Sequence, residues 1–142
     1  MDTPKSQTVP PIRTRAVAKV AVQSSEANSY DQTATPALLE VRLSETCAGD
    51  IDGESPVRAL AVRWDNRSAS LVSVQRFRGK LDGREGTFVL QGRETVENGK
   101  TTAKWFVVPG SGTGDLSGVR GEGGFAGHFG KGSDATLDCW FE

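Results

Sequence analysis

Turn-forming pairs recur through the middle of this chain at a nearly constant interval, and that interval dictates what it folds into. The turns centre near residues 52, 66, 82 and 98, so that successive centres lie 14, 16 and 16 residues apart. Asp82-Gly83 and Asn98-Gly99 are the dipeptides that type I′ hairpin turns favour, because both central residues take positive φ. Between the turns the apolar residues alternate, as they do on half-buried strands. Strands are expected over 14–22, 39–47, 54–64, 70–79, 87–94, 104–108, near 114–120 and over 134–141. No stretch carries sustained i, i+3, i+4 apolar spacing, so helix is expected to be scarce. An open sheet of so many long strands leaves two bare edges, and closure removes both. The expected fold is therefore all-β: a closed eight-stranded antiparallel up-and-down barrel.

Two segments interrupt the meander. Residues 1–13, with Pro4, Pro10 and Pro11, are expected to form a flexible arm ahead of a single barrel domain at 14–142. The polar run 24–36 is expected to be a loop. Ten of the seventeen glycines fall between Gly110 and Gly132, which suggests a corner where the sheet bends.

A chain of 142 residues suits one domain with its own core. Its net charge of −1 gives no broad attraction to nucleic acid or to a membrane surface, and neither is expected as a partner. No apolar run is long enough for a membrane helix, and the cytoplasm is the expected compartment. Cys47 and Cys139 form no spaced pair and are read as small buried hydrophobes.

Several motifs bear on chemistry. Gly121-Glu122-Gly123-Gly124-Phe125-Ala126 matches the dinucleotide fingerprint, but the glycines after it cannot open the helix that a pyrophosphate needs. Gly130-Lys131-Gly132-Ser133 lacks the phosphate-loop spacing. Asp50, Asp52 and Glu54 share one face of an extended backbone, yet calcium wants six or more oxygens, so no metal is assigned. His128 is the only histidine; with no plural ligands and no nucleophile elbow, it is read as an exposed loop residue. No cofactor is expected.

A barrel of about eight strands is filled by its own side chains or holds one small ligand. Gln75 and Phe77 share a face of strand four, Phe88 and Leu90 one of strand five, Trp105 and Val107 one of strand six. With Trp140 they are the candidate lining of a small-molecule pocket, apolar with a polar group among them.

Three blocks carry a resemblance. They are Gly49-Asp50-x-x-Gly53-Glu54-Ser55; Arg76-Phe77-x-Gly79-x-Leu81-Asp82-Gly83-Arg84-x-Gly86-x-Phe88-Val89-Leu90-Gln91; and the glycine-rich run from Val107 to Phe125. Together they resemble a bacterial family of uncharacterised proteins grouped with the allene oxide cyclase-like barrels, related in fold to plant dirigent proteins. The resemblance implies an eight-stranded barrel with an apolar interior and no established reaction. Plant allene oxide cyclases use a glutamate and a nearby asparagine at the end of the first strand, and a proline shortly after. Glu26, Asn28 and Pro36 stand in a similar order here. Gln75 stands where the bacterial relatives tend to have a glutamate, and Cys139 where they tend to have a tyrosine, which implies the loss of an interior acid. The expected function is thus the binding of a small apolar molecule inside the barrel. The alternatives are a cyclase-like enzyme steering ring closure of an unsaturated substrate, and an assembly module forming homo-oligomers.

Overall fold

A computed structural model describes residues 12–128 and 132–142. Residues 1–11 of the expected arm lie outside it, as do Gly130 and Lys131. The strands are β1 (Thr14–Asp31), β2 (Ala37–Gly49), β3 (Ile51–Asp65), β4 (Ser68–Leu81), β5 (Arg84–Glu97), β6 (Lys100–Val107), β7 (Val119–His128) and β8 (Ser133–Phe141). They close in chain order into one antiparallel barrel, with β8 paired back onto β1. The closing seam carries opposite charges as register partners on its outer side. Arg15 makes a two-pronged contact with Asp138 at 2.8 and 3.1 Å, and Lys19 pairs with Asp134. Exposed pairs of this kind fix register more than they add stability.

The turn chemistry accounts for the hairpins. Asp82 and Gly83 have φ of 51° and 81°, Asn98 and Gly99 of 52° and 80°, the consecutive positive values that a type I′ turn requires. The β2–β3 ladder ends at Cys47 and Gly53; beyond it Gly49 pairs with β1, and Ile51 and Asp52 pair with β4, so only Asp50 lies outside a strand. Asp50 caps this end by accepting a hydrogen bond from the Val17 amide at 3.0 Å.

Two expectations need correction. The polar run after Val22 is not a loop, because β1 continues to Asp31. Beyond Val20 it pairs with β2 alone and buries no apolar face, so no alternation marks it in the sequence. Its free edge is lined with serine, glutamate and asparagine, which discourage pairing with another chain. The seventh strand is also displaced, from the expected 114–120 to Val119–His128. The glycines of 121–127 therefore lie within a strand, where a side chain at Gly123 would strike the Thr136 carbonyl at 2.0 Å.

The preceding glycines do form a connection, and it seals one end of the barrel. β6 stops at Val107, leaving the lower part of β5 without a strand partner. Residues 108–113 cover it, with Val108 N donating to Val89 O and Thr113 N to Thr87 O, both at 2.9 Å. A short 3₁₀ turn, Gly114–Leu116, then drops Leu116 into the lumen, fully buried. Leu116 joins Ile51, Phe77, Leu81, Phe88, Val119 and Leu137 in one apolar plug. Phe77 and Phe88 are register partners with ring centroids 5.0 Å apart. Toward the opposite end the inward-facing Val41, Leu43 and Leu71 are only half-buried, so the lumen loosens toward a mouth there.

Candidate functional site

Above the plug the inner wall turns polar. The buried polar residues are Glu45 of β2, Ser55 of β3, Ser73 and Gln75 of β4, and Glu94 of β5. Strand alternation explains how they come to face inward. Glu45 continues the phase of Leu39, Val41 and Leu43, and Glu94 that of Phe88, Leu90 and Gly92. Ser55 Oγ donates to Gln75 Oε1 at 2.7 Å, which leaves the Gln75 amide nitrogen free to donate elsewhere.

Trp105 of β6 completes the layer. It is 7% exposed, and its indole Nε1 is buried without a hydrogen-bond partner. Its register partners on both sides are glycines, Gly92 and Gly123. A Cβ at Gly92 would lie 2.9 Å from that of Trp105, so the indole occupies room that two missing side chains leave. Phe125 packs edge-on against it at 5.3 Å.

The two carboxyls feel their surroundings strongly. Burial pushes Glu94 up to about 7, and it pushes Glu45 up to about 7 as well, with the Glu94 charge adding to the effect on Glu45. β2 and β5 stand three strands apart in the ring, so these side chains sense one another through the lumen. Near neutral pH each is partly protonated and serves as donor or acceptor. Cys47, beside Glu45 on the inner phase of β2, is raised to about 11 by burial, then by Glu45 and Asp52, and is no nucleophile at neutral pH. Both cysteines are free thiols.

Of the residues expected to line a pocket, Gln75, Phe77, Phe88, Leu90, Trp105 and Val107 are buried on the inner face. Phe77 and Phe88 belong to the plug. Trp140 does not line the lumen: it is half-buried on the outer face, where the Arg13 guanidinium lies 4.2 Å from its ring centroid. Glu26 and Asn28 come together on the extended part of β1, with Asn28 Nδ2 donating to Glu26 Oε1 at 3.2 Å. Both are exposed and away from the buried layer, and Pro36 stands past the turn, after a cis peptide. His128 ends β7 in solvent. Among the described residues no group of three or more acidic, histidine or cysteine side chains is placed to hold a metal ion.

Sequence reasoning missed Glu45 and Glu94. Gln75 leaves its own position without an ionisable group, while the lumen carries two carboxyls at other positions. The available signal was a glutamate in the apolar phase of an alternating strand.

A concavity of about 980 Å³ is lined by outer-face side chains and also by Ala59, Ser73 and Trp105 of the inner phase. Leu60, Val72, Val74 and Phe106 give it an apolar floor, and Arg58, Arg93, Lys104 and Glu122 lie around them. It is open, and the buried carboxyls Glu45 and Glu94 are not part of its lining.

A family of proteins of unknown function, DUF3224, matches residues 16–138, nearly the whole barrel. The chain belongs to DUF3224. A solved structure of a DUF3224 protein from Shewanella oneidensis MR-1, its function unknown, is 27% identical. The match covers 92% of this chain and 99% of that one, with a TM-score of 0.76. No match is found among curated proteins. Membership in DUF3224 names no activity.

Proposed function

We propose that this DUF3224 barrel binds a small, largely apolar molecule in its lumen, above the Phe77–Phe88 plug, through the polar layer of Glu45, Gln75, Glu94 and Trp105. The carrying observation is the buried, unpartnered Trp105 Nε1. A sealed N–H without an acceptor costs about 1–3 kcal/mol, and a guest bearing an oxygen atom removes that cost. Leu90, Val107 and Phe125 supply apolar contact at the same wall. The likeness to allene oxide cyclase-like barrels supports an interior site. Their cyclising chemistry finds less support, because Glu26 and Asn28 are solvated.

The test uses the Trp64→Phe/Trp140→Phe double variant, in which Trp105 is the sole tryptophan, excited at the red edge of its absorption to leave Tyr30 dark. Titration with hexanol, hexanoate and hexylamine is expected to give a saturable change in emission with at least one of them. No response to any of the three would remove the interior-binding proposal.

For self-association we propose the outer apolar floor as the contact between copies. Leu60 and Val72 are register partners, 52% and 59% exposed, with Val74 and Phe106 close by. Contiguous exposed apolar surface of this kind marks interaction sites. Phe106→Asp is expected to lower the native mass to that of one chain, and a wild type already monomeric would end the idea.

A further inference from the structure

We propose that the guest of the lumen is an organic ammonium, an apolar body carrying one protonated amine and an acceptor oxygen, whose positive charge sits between Glu45 and Glu94 and whose oxygen accepts from Trp105 Nε1. This rests on the interior-binding proposal and adds the chemical class of the ligand.

The first observation is the absence of counter-charge. Glu45 and Glu94 are 4% and 7% exposed, and the other buried polar residues, Ser55, Ser73 and Gln75, are neutral. The inward positions of each neighbouring strand confirm it among the described residues. β1 offers Ala16, Ala18 and Val20; β3 Val57, Ala59 and Ala61; β4 Phe77; β6 Ala103 and Val107; β7 Val119 and Phe125. The titratable groups that face the layer are the two carboxyls and Cys47, with Cys139 of β8 lower down, in the plugged half. Buried carboxylates are normally paired with a base or a metal. Here no side chain pairs with them.

The second observation is Trp105, whose buried Nε1 lacks a partner in the same layer. That unmet donor calls for an acceptor, which an ammonium does not have, so it points to an oxygen carried by the guest beside its amine. Trp105 and Phe125 also set aromatic surface at this level, and aromatic faces attract cations, ammonium included. A metal ion fits poorly. Two carboxyls are too few for a hard cation that takes six or more oxygens, and the described residues gather no third ligand. A carboxylate guest would add like charge to the pair and is disfavoured.

Binding is then linked to protons. An ammonium between the carboxyls favours their ionised form, so the guest binds more tightly as pH rises through the range in which they titrate, and binding releases protons. No bond is made or broken.

The experiment compares hexylamine, hexanol and hexanoate, which share one tail and differ in head charge, by calorimetry on the wild-type protein at about pH 8, with the hexylamine titration repeated at about pH 6. Hexylamine is expected to bind about tenfold or more tightly than hexanol, with hexanoate weakest. Its affinity should fall at the lower pH, and near neutrality its apparent heat should vary with the ionisation heat of the buffer in the sense of proton release. Glu45→Gln and Glu94→Gln are each expected to erase most of the preference for hexylamine over hexanol. Equal or better binding of hexanol, or an amine preference that survives in both glutamine variants, overturns the ammonium assignment and leaves interior binding standing. Failure of all three compounds to bind removes the interior site itself. The wild-type ranking needs no variant to fold.

Discussion

Replacing Glu94 with glutamine should stabilise the protein, and only at the pH where the carboxyl would be charged. In the folded barrel Glu94 ionises at about 7 against an ordinary 4.5, because burial removes water from its charged form. The unfolded chain releases that proton near its ordinary value. Between the two values the folded state holds the extra proton, so stability is greatest below about 4.5 and declines as pH rises to about 7. The whole loss is about 3 kcal/mol for this one group once the pH exceeds 7. Glutamine has the same shape and no charge to desolvate, and it also relieves Glu45 of the Glu94 field. For a domain of this length the gain corresponds to a rise of about 10 °C in Tm at about pH 8 and almost none at about pH 4.5. Thermal melts of wild type and Glu94→Gln across that range measure it. A wild-type Tm that stays flat from about pH 5 to 8, or a variant gain equal at both ends, refutes the reasoning.

Other perturbations follow from the packing. Gly123→Ala places a methyl 2.0 Å from the Thr136 carbonyl oxygen, and backbone cannot yield cheaply, so chemical denaturation should show a loss of about 2–3 kcal/mol. Phe77→Ala empties the centre of the plug beside Phe88 and is expected to cost about 3–5 kcal/mol by the same measurement. Glu26→Gln alters an exposed side chain on β1; hexylamine affinity by calorimetry should stay within about twofold of wild type, and a larger loss would return the exposed Glu26–Asn28 pair to the functional account.

Much of the fold was legible because its signals are local. Asp82-Gly83 and Asn98-Gly99 announce their own turns, and alternating strands between evenly spaced turns leave closure as the way to hide two edges. Legibility failed where a segment has only one neighbour. The second half of β1 is held by β2 alone and buries no apolar face, so Ser24 to Asp31 look like loop. β7 was misplaced because its glycines serve close approach to β6 and β8, a tertiary demand that resembles loop composition. The site was partly legible. The phase of Gln75, Leu90, Trp105 and Val107 put them on one wall, but no local pattern showed which wall faced inward until the ring closed. Glu45 and Glu94 were hidden because an isolated glutamate is ordinarily solvent-facing, and a buried one breaks the rule that locates cores.

The most direct test of the lumen site is the indole region of a ¹H–¹⁵N spectrum. The protein has three tryptophans, and the Trp105 N–H is buried without a partner. Saturating hexylamine should shift the Trp105 indole signal and leave those of Trp64 and Trp140 in place. Saturable binding that moves the amides of Val72, Val74 and Phe106 while Trp105 stays still would put the guest in the outer groove and contradict the account.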